Sequence, residues 1–220
     1  MALLSPVVWG ADAVLAITHG VSTGDVTPTS VVVWSRANQA ATMKVRYQPA
    51  AGAGASAREV AGRSQQSTDF TAKVKIEGLA PDTLYRLDVW FESGKKRSDA
   101  GTGLFRTAPA ADQMRPIRFI WSGDLAGQRY CRREGVGYRI FQPMTGFEPD
   151  FFVANGDMIY ADNDCPVNAY EPGWLNVPGT FPGVGDPSVD WTNRAAVAEV
   201  FNAHWRYNRE DLAFQQFLGL

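Results

Sequence analysis

Ile117-Arg118-Phe119-Ile120-Trp121-Ser122-Gly123-Asp124 and Asp150-Phe151-Phe152-Val153-Ala154-Asn155-Gly156-Asp157-Met158-Ile159-Tyr160 share one grammar: a short apolar run that ends in Gly-Asp. Runs that are apolar at nearly every position are characteristic of strands covered on both faces. Between them, Gly137 to Met144 places Tyr138, Ile140, Phe141 and Met144 on one helix face, and Pro143 is expected to kink or end that helix. Strand, helix, strand at this spacing implies a parallel crossover. Both Gly-Asp pairs then lie at strand C-termini, where open α/β sheets place ligands.

Upstream the period changes. From Leu15 to Thr107 apolar residues recur at every second position. Met43, Val45 and Tyr47 alternate with Lys44 and Arg46; Phe70, Ala72, Val74 and Ile76 alternate with Thr71, Lys73 and Lys75. Tyr85, Leu87, Val89 and Phe91 alternate with Leu84, Arg86, Asp88 and Trp90. Ser30 to Ser35, with three consecutive valines and Trp34, reads as a strand buried on both sides. Short strands divided by Gly, Pro and Asp turns indicate an antiparallel β-sandwich. In Gly78-Leu79-Ala80-Pro81-Asp82-Thr83-Leu84-Tyr85, a turn runs into a strand and Tyr85 sits where a tyrosine corner belongs. Leu79, Pro81, Thr83 and Tyr85 give this stretch a resemblance to a fibronectin type III module.

The remaining segments fill in the plan. Thr107 to Asp112 is a short linker. Cys165 to Asp190 is a long aperiodic loop rich in Pro and Gly, of the kind that is usually functional or mobile. Asn193 to Asn208 is expected to be helical, with Thr192 as N-cap and Val197, Val200, Phe201 and Trp205 on the apolar face. Asp211 to Leu218 adds a further helical turn or two. Gly52-Ala53-Gly54-Ala55 is a flexible loop and no phosphate cradle, since no helix start follows it.

The 220 residues, 45% of them hydrophobic, are enough for one large or two ordinary packed domains. A net charge of −2 gives no case for a nucleic-acid surface or an anionic membrane. No run reaches the roughly 20 apolar residues that span a bilayer. Met1 to Ala16 is mildly apolar with no Lys or Arg ahead of it. It reads as a ragged terminus in preference to a clipped export signal. Cys131 and Cys165 are the only cysteines and have no C-x-x-C spacing. Two free thiols are the favoured reading, and a bridge, which needs an oxidising compartment, stays open.

Asp124 and Asp157 are the candidate chemistry. Short carboxylates reachable from strand ends can share a cation, and the Gly before each lets the backbone turn and approach closely. Tyr160 could add a phenolate, which at neutral pH requires a hard, highly charged ion such as ferric iron to drive off the proton. Taken singly, each Gly-Asp is more simply a turn pair. Their shared position after apolar strands at crossover spacing favours a metal site. Asp162 and Asp164 read as solvated loop charges, Gln128 and Asn163 as loop polarity, and Asp25 as a turn residue. Arg132 and Arg133 read as a solvated pair. Of the two histidines, His19 lies in the sandwich and His204 in the helix, as a packing or surface residue.

Gly123-Asp124 followed by Gly156-Asp157-x-x-Tyr160 resembles the first two motifs of calcineurin-like metallophosphoesterases, in the tyrosine-bearing form of purple acid phosphatases and the alkaline phosphatase D family. The opening His19-Gly20-Val21-Ser22-Thr23-Gly24-Asp25 and Val31-Val32-Val33-Trp34-Ser35-Arg36 are similar to the second of these. Pro149-Asp150-Phe151-Phe152 and Ile159-Tyr160-Ala161-Asp162 are similar to it as well. The resemblance implies a fibronectin III-like domain over 15–108 and the first, incomplete part of a metallophosphoesterase domain over 115–220, after a terminus of 1–14. It implies a phosphomonoester or phosphodiester hydrolase with a binuclear centre of iron and calcium, exported to the periplasm or secreted. Asp124, Asp157 and Tyr160 would be metal ligands. Many members carry a metal-binding cysteine where this chain has Asp124, and the later histidine-bearing motifs of the family are absent here. An inactive fragment and a β-sandwich binding module are the alternatives.

Overall fold

In a computed structural model, residues 14–51 and 56–219 are described. The expected loop at 52–55 and most of the expected N-terminal segment 1–14 lie outside them.

Two antiparallel sheets face each other. One has the order β1–β2–β5, from Ile17–Gly24, Ser30–Ala37 and Thr71–Glu77. The other runs β4–β3–β6, from Arg58–Ser64, Ala41–Pro49 and Leu84–Ser93, with β7 (Lys96–Arg97) and β8 (Gly101–Arg106) both paired to β6. The alternation read from sequence sets the inner faces. Val31, Val33, Met43, Val45, Ala72, Ile76, Leu87, Val89 and Phe91 are sealed in one core. Each fully buried aliphatic side chain contributes roughly 1.5–3 kcal/mol of transfer free energy. The Tyr85 hydroxyl accepts the Ala80 N–H at 2.9 Å, and its ring stacks on Phe105. The turn before β6 is thereby fastened to the strand, as a tyrosine corner requires.

Two expectations shift. Phe70 precedes β5 in a left-handed turn (φ 55) and does not join its alternation. Trp90 points outward yet is buried, because the guanidinium groups of Arg46 and Arg97 lie over its ring and its Nε1–H donates to Glu92.

Beyond the sandwich, β9 (Phe119–Ser122) and β10 (Phe151–Ala154) pair in parallel, Phe119 opposite Phe151 and Trp121 opposite Val153. The crossover helix α1 is only Phe141–Gly146. Tyr138 to Ile140 remain outside it, and Pro143 sits in the first turn, where a missing N–H is harmless; it neither kinks nor ends the helix. Helices α2 (Arg194–Arg209) and α3 (Leu212–Leu218) follow. Ile120 and Phe152, on one face of the parallel pair, join a cluster with Phe141, Phe214 and Phe217. The opposite face leaves Phe119 55%, Trp121 66% and Phe151 47% exposed.

Helix α2 departs from its expected cap and face. Asn193, not Thr192, is the N-cap and accepts from the Ala195 and Ala196 amides. The buried positions are Val200, His204, Tyr207, Asn208 and Arg209, while Phe201 and Trp205 are largely exposed. Polar side chains face inward because each finds a partner there. Arg209 lies over Trp34 of β2 and donates to the His19 carbonyl at 3.1 Å. Arg206 pairs with Asp69 at 2.8 Å, and Asp69 also holds Arg36. This junction seats α2 on the sandwich.

His19 is enclosed in the same junction. Burial, then the charges of Arg36 and Arg209, pull its imidazole down to about 4 from an ordinary value of 6.5. A base depressed in the folded state is bound neutral, so the unfolded chain takes up protons first. Stability is therefore full above pH 6.5 and drains away as pH falls toward 4. The expected loss is roughly 2–3 kcal/mol, allowing for partial solvent screening. Urea midpoints measured down this pH range should show that slope, and His19→Gln should flatten it.

Candidate metal centre

Each candidate carboxylate is aimed by a left-handed residue. Asp124 follows β9 with φ 56; Asp157 follows β10 with φ 49, after Gly156 at φ 86. Asp tolerates this region better than most side chains, because its short polar group bonds locally. The two strand ends are stitched together. The Leu125 N–H donates to the Asp157 carbonyl at 2.8 Å, and Asn155 N–H to the Ser122 carbonyl at 2.8 Å. Gly123 faces the Asn155 carbonyl so closely that a Cβ there would stand 3.3 Å from it.

Tyr160 closes the cluster. Its hydroxyl donates to Asp124 Oδ1 and lies 3.3 Å from Asp157 Oδ2. The ring rests against Gly127 (φ 117), where a Cβ would come within 2.8 Å of it, so only glycine leaves the phenol this close. The Tyr160 carbonyl accepts the Asn163 N–H at 3.0 Å. The bond to Asp124, then desolvation and the charges of Asp124 and Asp157, push the phenol up to about 12. Both aspartates are exposed. The structure thus brings together all three residues singled out by sequence.

The donor set suits one hard cation: three oxygens, two of them anionic, and a proton on the third that a highly charged ion can replace. It does not furnish a second ion. Among the described residues no group of three or more His, Cys, Asp and Glu is placed to hold a metal ion. Neither histidine bonds to Asp124, Asp157 or Tyr160. His19 is enclosed at the sandwich junction, and His204 lies between the carbonyls of Val200 (2.8 Å) and Asn163 (3.2 Å).

Around the cluster several readings change. Cys131 and Cys165 form a disulfide, not two free thiols; two loops distant in sequence bring them to a Cα separation of 5.8 Å. Arg132 is no solvated charge: it pairs with Glu210 at 2.9 Å and covers Tyr207. Arg133 covers Trp174. Asp162 and Asp164 are exposed, as is Gln128, and Asp25 is a left-handed turn residue (φ 49). Asn163 is no surface polarity; it is buried, donates to Cys131 Sγ and accepts from Arg129 N–H.

Asn176 escaped sequence reading altogether. It is buried within the long loop, where its Oδ1 accepts the Cys131 N–H at 3.0 Å and its Nδ2 donates to the carbonyls of Arg129 and Pro166 at 2.8 Å. One asparagine thus replaces the missing periodicity as the loop's anchor. An isolated Asn in a Pro/Gly-rich stretch carries no pattern that would mark it.

Residues 10–109 match the family model for the PhoD-like phosphatase N-terminal domain. No curated protein matches the chain. A solved structure of PhoD is similar in fold over 92% of this chain, at a TM-score of 0.63 and 17% identity. The match covers 37% of PhoD, so the chain spans little more than a third of that protein's length. A fibronectin III domain of the human collagen α-1(XX) chain overlaps 49% of this chain and 99% of its own length, at 24% identity and a TM-score of 0.39. Among the described residues the fold is a two-sheet antiparallel β-sandwich followed by a parallel strand pair with three α-helices, and PhoD is similar to it in fold. Among the described residues no helix is long and apolar enough to cross a membrane.

Proposed function

We propose that this PhoD-like chain forms the metal-binding first part of a phosphomonoester or phosphodiester hydrolase, with residues 15–108 as supporting sandwich and 115–220 as the start of the catalytic domain. One observation carries the reading: Asp124, Asp157 and Tyr160 converge at the ends of neighbouring parallel strands. A cation bound there would supply Lewis-acid neutralisation of a phosphoryl oxygen. The two carboxylates would hold it, and the phenol, braced by Gly127, would fix the direction of approach. Iron(III) suits a phenolate best, and calcium is the partner ion that family likeness suggests. The Cys131–Cys165 bridge supports an oxidising destination, hence export to the periplasm or beyond.

A second reading has its own support. The described residues lack ligands for a second ion, and one face of the parallel sheet is exposed. On that reading the 220 residues bind one ion without turnover. Terbium(III) titration followed by sensitised luminescence should show saturable binding of one ion per chain. Hydrolysis of p-nitrophenyl phosphate with iron(III) and calcium then separates the two readings. Turnover above the metal-only blank supports the hydrolase; binding without turnover supports the second. Absence of saturable binding overturns both.

A further inference from the structure

The carboxamide of Asn208 touches neither the three ligands nor the space between them. Yet it holds the backbone directly after Asp157. Asn208 is buried on the inner face of α2. Its Nδ2 donates to the Met158 carbonyl at 2.8 Å, and its Oδ1 accepts the Tyr138 hydroxyl at 2.6 Å. Desolvation holds that hydroxyl far above the ordinary phenol range, so it remains a donor. The amide therefore has a fixed orientation: with oxygen toward Tyr138, nitrogen must face Met158.

Asp157 occupies a left-handed conformation that a non-glycine residue keeps only when its surroundings impose it. Two carbonyls bracket the position. That of Asp157 is held by Leu125 N–H from the neighbouring strand end, and that of Met158 by Asn208 from the helix. The residues beside Asn208 are tied down as well. Arg209, the next residue, is clamped against Trp34 of the sandwich. Asp211, just beyond, caps α3 through the Phe214 N–H at 2.9 Å and accepts the Tyr138 N–H at 2.9 Å. The strand end, α2 and the sandwich thus form one continuous chain of contacts that ends at Asp157.

We infer that Asn208 is a positioning residue for the metal centre, transmitting the seating of α2 on the sandwich to the direction in which the Asp157 carboxylate points. This rests on the proposed metal site, and it adds a role for the N-terminal domain: a rigid footing for that site. A merely structural Asn208 would matter equally through either of its bonds. A positioning Asn208 acts through Met158 alone.

Asn208→Asp separates these cases, because it keeps the acceptor for Tyr138 and replaces the donor to Met158 by an oxygen. Terbium(III) affinity should fall about tenfold, the usual scale for losing a group that orients a ligand. Tyr138→Phe removes the other bond; it should lower the melting temperature while leaving affinity within about twofold. Equal weakening by both variants, or undiminished affinity in Asn208→Asp, overturns the inference. Coupling is reciprocal, so the unaltered protein offers an independent measurement that needs no variant to fold. Lanthanum(III) should slow hydrogen exchange of the Asn208 side-chain amide severalfold; unchanged exchange overturns the inference too. If the unaltered protein binds neither ion, the metal site itself falls. If it binds them and Asn208→Asp binds equally well, only the role of Asn208 falls.

Discussion

Asp157→Asn is expected to lower terbium(III) affinity by about a hundredfold or more while leaving the melting temperature nearly unchanged. The side chain is exposed and bonds only to its own cluster, so the fold does not need its charge. The ion does. On the proposed site, replacing one of its two carboxylates removes a unit charge at contact distance, where even a partly screened interaction is worth several kcal/mol. The isosteric amide keeps the left-handed conformation available, since Asn enters it as readily as Asp. Isothermal titration beside a thermal melt separates the two effects. A variant that binds normally would remove Asp157 from the site, and one that melts early would show the carboxylate to be structural.

The second large effect concerns the disulfide. Cys131 and Cys165 are 34 residues apart in sequence. Opening a loop of that size frees the unfolded chain by about 4 kcal/mol in the chain-entropy account. The bridge lies in a small cluster with Tyr207. The loops it joins are the ones that leave Asp124 and Tyr160. Cys131→Ser with Cys165→Ser should therefore destabilise the α/β portion by that amount while the sandwich core remains protected. Hydrogen exchange resolved by segment reads this directly: amides at 124–165 speed up, and those of β2, β5 and β6 do not. Uniform acceleration would mean that the two portions unfold as one unit, and no acceleration would mean the bridge is dispensable.

What sequence disclosed and what it hid follow from where each interaction lives. The sandwich strands were legible because a strand's side chains alternate locally, and Val31, Val33, Leu87 and Val89 obey that period up to complete burial. The convergence of Asp124 and Asp157 was legible because a parallel crossover fixes which ends of two strands are neighbours. Tyr160 followed from its spacing.

The face of α2 was not legible. Hydrophobicity pointed to Phe201 and Trp205, yet the helix buries His204, Asn208 and Arg209. Their partners are the carbonyls of Val200, Asn163 and Met158, together with the Trp34 ring, and all but Val200 come from other parts of the chain. No helical period encodes distant acceptors. Asn176 and the disulfide were hidden for the same reason, since both depend on two aperiodic loops meeting.

The measurement that bears most directly on the whole account is anomalous diffraction from crystals of the 220-residue chain soaked in terbium(III). A single strong peak bonded to carboxylate oxygens of Asp124 and Asp157 and to the Tyr160 oxygen, at about 2.3–2.6 Å, is the predicted result for a hard ion on oxygen ligands. A peak that omits either aspartate, or no peak among these three residues, contradicts it.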